Sequence, residues 1–191
     1  MTAARGGARR ATAPQAAARR RAPAPTRTPL RHGLPPVIDR RTRIVVLGSF
    51  PGEASLAAAQ YYAHPRNQFW PLLAALLGDD LAALPYAARL ARLAHHRVGL
   101  WDVIAACRRS GSLDSAIRDA VYNDLTGLRA RAPQLRLVLH NGAQSARLLP
   151  HTLALGVPAL RLPSTSPANA SWSFERKLQA WREAFALAGV D

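Results

Sequence analysis

Side chains that can do chemistry are concentrated in three segments of this 191-residue chain. The segment 48–70 contains a serine, a glutamate, a tyrosine pair, a histidine and an asparagine, and the segments 141–142 and 163–170 contain amides and hydroxyls. Carboxylates can activate water and amides can orient it, hydroxyls can bind phosphates, and tyrosine rings can stack on flat ligands. The small residues that open the first segment let backbone amides approach such a ligand closely.

Each of these side chains also has an ordinary structural explanation. The first segment fits a tight turn followed by two core tyrosines. Asn67 stands directly before a predicted helix, where asparagine is a favoured N-cap. Glu53 fits a solvated loop acid as well as a group that activates water, and residues 141–142 fit a plain strand-to-helix turn. The chain contains neither a Gly-x-Gly-x-x-Gly fingerprint in this loop nor a Walker loop, which excludes those two modes of nucleotide binding.

The apolar pattern predicts strands that alternate with helices. Short β-branched or leucine-rich runs predict strands at 43–48, 98–104, 135–140 and 159–162. Apolar residues at helical spacing predict helices at 68–77, 81–94 (with Pro85 as a break), 124–131, 143–149 and 174–185, the last with Ser171 or Ser173 as its N-cap. Residues 105–123 are predicted to be irregular with one short helix.

Strands separated by helices favour parallel pairing through crossover connections. The predicted fold class is therefore α/β, with helices on both faces of the sheet. In such sheets the functional site lies at the carboxyl ends of the strands. This rule brings the loops 48–67, 140–142 and 163–170 together, so the three segments are predicted to form one site.

The charge of the chain points to a polyanionic partner. Twenty-six basic residues against eleven acidic ones give a formal net charge of +15, and every basic residue except Lys177 is an arginine. Nucleic acid is favoured over a membrane surface because no arginine-rich amphipathic helix is evident. No apolar run approaches the ~18 residues that a membrane-spanning helix needs. The single cysteine, Cys107, excludes a disulfide scaffold and a cysteine-based zinc or iron–sulfur site within this chain.

Residues 1–38 differ in composition from residues 39–191. They contain eight arginines and no acid, and they are rich in alanine, proline, glycine and threonine. Such a composition buries too little apolar surface to offset chain entropy, so 1–38 is predicted to be a disordered basic tail and 39–191 the domain. The tail fits an arm that adds phosphate affinity, an organellar transit peptide or an extension without function.

Two blocks of sequence resemble the uracil-DNA glycosylase superfamily. The first is Gly-Ser-Phe-Pro-Gly at 48–52, followed by Tyr-Tyr-Ala-His-Pro-Arg-Asn-Gln-Phe-Trp at 61–70. The second is Leu-Pro-Ser-Thr-Ser-Pro-Ala-Asn at 162–169. These blocks are most similar to the hypoxanthine-DNA (deoxyinosine) glycosylase branch, which is related to the mismatch-specific uracil/thymine glycosylases. The resemblance covers roughly residues 41–187.

The resemblance implies a three-layer αβα sandwich around a four-stranded parallel sheet. It also implies a monofunctional DNA glycosylase of base excision repair, which hydrolyses the N-glycosidic bond of a deaminated base without metal or cofactor. Hypoxanthine is the expected base and uracil the next candidate. The expected partner is double- or single-stranded DNA that contains such a base. The expected form is a monomer in the bacterial cytoplasm, associated with the nucleoid, and organellar targeting by the tail is the alternative.

One departure from the family pattern bears on the catalytic residue. Mismatch-specific relatives carry a water-positioning asparagine two residues after the first glycine of the first motif, and that position is Phe50 here. In the hypoxanthine branch the asparagine that closes the His-Pro-Arg-Asn block takes over this role, which implies Asn67 as the catalytic residue. Glu53 is the runner-up. An amide orients water but deprotonates it poorly, which suits a reaction in which the base departs first.

The resemblance also implies binding roles. Tyr62 is expected to stack on the extruded base while Tyr61 packs inward, and Asn141 is expected to read the edge of the base. The residues expected to bind the base are Ser49, Phe50, Tyr62, His64 and Asn141, and those expected to bind DNA are Arg66, Ser164, Thr165 and Ser166.

Two other functions stay open. Because Phe50 replaces the usual asparagine, a DNA-binding protein that keeps the fold without glycosylase activity is the main alternative. A hydrolase with Ser49 as nucleophile is the other, although no Ser-His-Asp constellation is evident.

The pair Trp101-Asp102 and Cys107 are predicted to be structural. No histidines show metal-ligand spacing, so no metal site is predicted.

Overall fold

Short buried runs form the strands of this protein, and amphipathic segments between them form the helices. The computed structural model describes residue 2 and residues 28–189. The strands among these residues are β1 (Leu30–His32), β2 (Ile44–Gly48), β3 (Val98–Asp102), β4 (Ile104–Arg108), β5 (Arg118–Tyr122), β6 (Leu137–Asn141) and β7 (Ala159–Leu162). The α-helices are α1 (Glu53–Ala58), α2 (Phe69–Leu77), α3 (Tyr86–His95), α4 (Leu128–Arg131), α5 (Leu149–Leu153) and α6 (Phe174–Ala186).

The central sheet has the strand order β3-β2-β6-β7, and every neighbouring pair is parallel. Its two inner strands, β2 and β6, are buried at every position. Strands buried on both faces are typical of a parallel sheet covered by layers on either side. The predicted α/β fold around a four-stranded parallel sheet is confirmed.

The pleat of the strands divides the core into two clusters, because successive side chains point to opposite faces of a sheet. In β2, Ile44 and Val46 face a cluster that includes Leu72 of α2 and Trp181 of α6. The other two apolar side chains, Val45 and Leu47, face a second cluster, which includes Leu128 of α4. The sheet is therefore fixed from both sides, and its carboxyl edge is a rigid platform for the loops.

A second sheet lies where the sequence predicted irregular chain. The strands β1, β4 and β5 pair antiparallel in the order β1-β4-β5. The prediction for 105–123 was wrong because β5 is exposed at four of its five positions, so it carries no apolar alternation that marks a strand. The single predicted short helix of this region is present as a 3-10 helix, Asp114–Ala116.

The predicted boundary at residue 38 lies inside the folded part. Residues 30–32 pair with β4, and Val37 exchanges two backbone hydrogen bonds with Leu100 of β3, at 2.8 and 2.9 Å. The hydroxyl of Tyr61 donates to the carbonyls of Leu34 and Pro35. Composition missed this because the segment is held through backbone groups, which do not depend on apolar side chains. The rest of the predicted tail, 1 and 3–27, lies outside the described residues.

Several helix boundaries also differ from the prediction. Within the predicted helix 81–94, regular helix starts only at Tyr86, after Pro85. The predicted 143–149 helix is a 3-10 helix, Ser145–Leu148, which continues into α5. Ser173 is the N-cap of α6, since its hydroxyl accepts from the Arg176 amide at 3.2 Å. No helix among the described residues is long and apolar enough to cross a membrane.

Candidate functional site

A cavity of about 590 Å³ opens at the carboxyl ends of the parallel strands, a size typical of small-ligand pockets. Its lining includes residues from the loop after β2, the turn after β6 and the loop after β7. The structure therefore brings together the three segments that the sequence singled out. Asp102 at the end of β3 and residues 112–114 complete the lining.

The loop after β2 is held by a buried arginine. Arg109 is 2% exposed, its guanidinium donates to the carbonyls of Phe50 and Pro51, and it lies 5.0 Å from the centroid of the Phe50 ring. The Phe50 ring is itself 5% exposed and belongs to the core. Phe50 also lines the cavity, so its contact with the base stays a prediction, made for a ring that is mostly buried against the core.

Ser49 lines the cavity, but its hydroxyl is engaged with an acid. It donates to Asp114 Oδ1 at 2.7 Å. A serine nucleophile needs a base that takes its proton, usually a histidine. This contact therefore argues against the serine hydrolase that the sequence left open.

Asn67 lies on the cavity wall, half-buried, immediately before α2. Its Oδ1 accepts a hydrogen bond from the amide of Phe69 at 3.0 Å. The helix-capping role expected for asparagine is thus present, one residue ahead of the formal N-cap, Gln68. The amide oxygen has a second lone pair and the amide nitrogen has two protons, so the same side chain can also hold a water in the cavity.

The tyrosine pair divides between core and cavity. Tyr61 is 3% exposed and packs inward. Tyr62 lines the cavity with a positive φ of 56°, and one face of its ring stacks on Phe69 with centroids 3.8 Å apart. A positive φ is unusual for a residue other than glycine. Tyr62 is therefore placed as a rigid aromatic wall beside the cavity.

Asn141 and Thr165 clamp two of the loops together. The Asn141 amide donates to Thr165 Oγ1 and accepts from the Thr165 amide, both at 2.9 Å. Thr165 is fully buried and its hydroxyl is engaged by Asn141, yet the residue lines the cavity, and its contact with DNA stays a prediction. Asn141 lines the cavity as predicted, but both ends of its amide already hold the loop after β7 in place.

The remaining predicted binding residues lie around the mouth. His64 lines the cavity, and its Nδ1 accepts from the Arg66 amide at 3.1 Å. Arg66 itself is exposed and outside the lining. Ser164 and Ser166 line the cavity, and the Ser164 hydroxyl accepts from the Ser166 amide at 3.2 Å.

Glu53 stands between two residues that line the cavity, Gly52 and Ala54, but its own side chain points elsewhere. It begins α1, its side chain is 51% exposed and it pairs with Arg31 at 3.7 Å. It does not appear among the residues that line the cavity. The expectation that Glu53 is the runner-up catalytic residue is therefore not supported by its position.

Asp102, for which the sequence predicts a structural role, is a further residue of the site. It is 4% exposed and lines the cavity, and its Oδ2 has no hydrogen-bond partner among the described residues. A Cβ at Gly48 would lie 2.2 Å from Asp102 Oδ1, so the close approach of the two strand ends requires glycine there. The available signal was its position: an acid at the end of a buried strand next to β2.

The electrostatics of Asp102 follow from its surroundings. Burial raises its pKa to about 7, Asp114 adds to the rise and Arg109 opposes it. Burial also raises the pKa of Tyr62, as does the nearby Asp102 carboxyl. An unpaired, buried carboxyl oxygen costs free energy unless a ligand or a water satisfies it. A strongly shifted acid at a cavity is therefore a candidate functional group.

Comparisons with known proteins agree with this geometry. The model of the Uracil DNA glycosylase superfamily matches residues 35–186. The chain is 43% identical over 155 residues to a hypoxanthine DNA glycosylase from Methanosarcina barkeri (strain Fusaro / DSM 804), covering 81% of this chain and 98% of that protein. It is 39% identical over 156 residues to a protein of the same name from Methanosarcina acetivorans, covering 82% and 98%.

A solved structure is also similar. The solution NMR structure of a candidate uracil DNA glycosylase from Methanosarcina acetivorans superposes with a TM-score of 0.76 at 38% identity. The match covers 84% of this chain and 99% of the other chain. The similarity therefore extends over most of this chain.

Proposed function

Because this chain belongs to the uracil DNA glycosylase superfamily, we propose that it removes hypoxanthine from DNA by hydrolysing the N-glycosidic bond of deoxyinosine. The names of the two Methanosarcina relatives support hypoxanthine as the base. The observation that carries the proposal for this chain is Asp102, with an unpartnered carboxyl oxygen at the cavity.

Asp102 suits the chemical change that deamination makes. Adenine presents an unprotonated N1, an acceptor, on its Watson–Crick edge, whereas hypoxanthine presents an N1–H donor. An ionised carboxylate only accepts hydrogen bonds. Asp102 can therefore accept a hydrogen bond from the N1–H of hypoxanthine, whereas the N1 lone pair of adenine would be repelled. Uracil also carries a ring N–H at the equivalent edge, which makes it the second candidate base.

The other cavity residues support the steps of the reaction. An extruded base stacks on the free face of Tyr62, whose other face is fixed on Phe69. The bond between C1′ and the base nitrogen breaks first, and positive charge develops on the sugar. The electron pair of that bond goes to the base, which departs as an anion. A water held by Asn67 then bonds to C1′ and gives up a proton, which neutralises the departed base.

We propose that the protein acts as a monomer. The substrate is DNA with an extruded nucleotide, drawn from a duplex or from a single strand. The expected place of action is the cytoplasm, where chromosomal DNA is exposed.

The test is incubation of the purified protein with short duplexes that carry one inosine, one uracil or only the four normal bases. Abasic sites are then cleaved with alkali, and the released base is identified. We expect strand cleavage at inosine, slower cleavage at uracil and none in the normal duplex.

Two outcomes would contradict the proposal. Cleavage at uracil but not at inosine would move the substrate assignment to uracil. Tight binding of the inosine duplex without release of a base would support the DNA-binding protein that lacks glycosylase activity. We expect the variant Asp102→Ala to lose the preference for inosine over adenine. That loss would show that this carboxyl selects the base.

A further inference from the structure

A second depression lies beside the small antiparallel sheet and shares no lining residue with the cavity at the strand ends. Its volume is about 330 Å³. Three arginines, two hydroxyl residues and an alanine line it: Arg108, Arg109, Arg118, Thr28, Ser110 and Ala116. No acid among the described residues takes part in this lining. Guanidinium and hydroxyl groups side by side are typical of sites that bind phosphate.

Two of these arginines stand opposite each other in the sheet. Arg108 ends β4 and Arg118 begins β5, and the two residues are paired directly in the antiparallel ladder. Side chains of directly paired residues lie on the same face of a sheet, and like charges there destabilise the pairing. Asp119 offsets only one of the two charges, through its contact with Arg108 Nε at 3.2 Å. The pairing therefore leaves positive charge on this face without a counterion.

The third arginine is buried and keeps an unused donor. Arg109 is 2% exposed, and its Nε–H has no hydrogen-bond partner among the described residues. Its guanidinium donates to the carbonyls of Phe50 and Pro51, which carry no full charge. Burial lowers the pKa of Arg109, because the charged form loses contact with water. A buried cation without a carboxylate partner costs free energy that an anion bound beside it would offset.

Arg118 is the arginine that can reach a ligand directly. It is exposed, and its Nη1 donates to the carbonyls of Ser115 and Ile117 at 2.8 and 2.7 Å. Its Nε and Nη2 remain available for the paired hydrogen bonds that a guanidinium forms with phosphate. The other acids of this region, Asp114 and Glu53, are each engaged with a residue outside the depression.

Arg109 connects the depression to the main cavity. Phe50 and Pro51, whose carbonyls accept from Arg109, both line that cavity, so a single loop separates the two concave surfaces. DNA with one nucleotide in the cavity therefore brings its backbone close to the arginines. Resting on the proposed function, we propose that Arg108, Arg109 and Arg118 form a binding site for one backbone phosphate of the DNA beside the extruded nucleotide.

The first test compares Arg118→Gln with Arg182→Gln, which removes an exposed charge on α6, away from the depression. Binding is measured at several salt concentrations with a duplex that carries 2′-fluoro deoxyinosine, whose glycosidic bond resists cleavage. Arg118→Gln is expected to weaken binding about tenfold and to lower the salt slope by about 0.9. Arg118→Lys keeps the charge and should keep the slope, and Arg182→Gln should match wild type. Equal affinities and slopes for the two glutamine variants would overturn the site.

The second test locates the phosphate. Each phosphate around the lesion, on either strand, is replaced in turn by an uncharged methylphosphonate. Wild type is expected to lose about tenfold in affinity at one position, where Arg118→Gln loses nothing further, because the two changes remove the same contact. Equal losses for both proteins at every position would overturn the site. Inorganic phosphate that binds wild type but not Arg118→Gln, without any such position in the DNA, would assign the depression to free phosphate and overturn the proposal.

The site and the proposed function fail separately. Excision of inosine by wild type, without a position at which the methylphosphonate and Arg118→Gln are coupled, would overturn the phosphate site and leave the proposed function standing. Such a coupled position in a protein that excises no inosine would overturn the proposed function and leave the phosphate site standing. Because Arg118 lies outside the cavity, Arg118→Gln at saturating enzyme should excise inosine at the wild-type single-turnover rate.

Discussion

The ionisation of Asp102 should set the pH profile of base excision. Because burial raises its pKa to about 7, the carboxylate that accepts the N1–H of hypoxanthine is lost as the pH falls below that value. The single-turnover rate on an inosine duplex is expected to rise through pH 7 and level off above it. Asp102→Asn keeps an acceptor oxygen without a titrating proton, so its rate should be flat over the same range. A wild-type profile that is flat there would contradict the role of Asp102.

The same carboxyl should make the fold less stable at high pH. Its folded pKa, about 7, lies above the ordinary value, so the folded state holds a proton that the unfolded state has lost between the two pKa values. The free energy of unfolding therefore falls as the pH rises through that window. Between pH 5 and pH 7 this loss is on the order of 3 kcal/mol, at ~1.4 kcal/mol per pH unit. Denaturant titrations of wild type and Asp102→Asn should show the loss in wild type and little of it in the variant.

Asn67 combines a structural contact with the proposed catalytic one, and two variants separate them. Asn67→Asp keeps an oxygen for the Phe69 amide, and Asn67→Ala removes it, at a cost of about 1 kcal/mol in stability. If Asn67 orients the water, Asn67→Ala should lose at least about two powers of ten in single-turnover rate, roughly 2.7 kcal/mol of barrier, and still bind the lesion duplex. A folded Asn67→Ala protein with nearly the wild-type rate would contradict the catalytic role of Asn67. Glu53→Gln would then be the next variant to measure, although Glu53 does not line the cavity.

At the scale of elements, Lys177 joins three parts of the site. This lysine of α6 is 2% exposed, and its ammonium donates to Gln68 Oε1 at 2.8 Å and to the Asn169 carbonyl at 2.9 Å. Lys177→Met fills the space but leaves both acceptors without their donor, which should cost about 1–3 kcal/mol. The melting temperature is expected to fall by roughly 3–10 °C, whereas Arg182→Met, at an exposed position of the same helix, should leave it unchanged. Equal melting temperatures for both variants would show that the tie is not structural.

The elements that sequence could predict are those with a strong apolar pattern. The run Ile44–Gly48 is buried at every position, so its β-branched composition marks it clearly. The strand Arg118–Tyr122 is largely exposed and depends on backbone pairing with β4, which leaves no periodic signal. For the same reason Leu30–His32 looked like part of a tail.

Sequence could predict which residues lie at the cavity, but not the direction in which each side chain points. Motif and sheet rules brought Asn67 and Tyr62 to the cavity, since loops after parallel strands share one edge. The direction of a side chain was beyond those rules. Phe50 turns inward under Arg109, and Thr165 turns inward toward Asn141, because contacts distant in sequence decide both orientations.

For the whole molecule, we expect the charge of the first 27 residues to act on DNA affinity and not on the chemical step. These residues contain seven arginines and no acid. Removal of residues 2–27 should leave the single-turnover rate at saturating enzyme unchanged, because the described cavity lies entirely within 48–172. Non-specific DNA affinity should weaken, and its dependence on salt should become shallower, by a slope of about 0.9 for each phosphate that the removed arginines had neutralised. Titration of an undamaged duplex at several salt concentrations measures both.

Removal of residues 2–38 is the matched comparison, because it also deletes chain that the sheets depend on. It takes away β1, the two backbone hydrogen bonds between Val37 and Leu100, and the acceptors of the buried Tyr61 hydroxyl. A buried hydroxyl without a partner costs about 1–3 kcal/mol by itself, and the absence of a pairing strand beside β4 adds to that. The longer deletion should therefore lower the melting temperature by at least about 5 °C, while the shorter one should leave it unchanged. An equal drop for both deletions would mean that residues 2–27 are part of the folded unit rather than a separable basic arm.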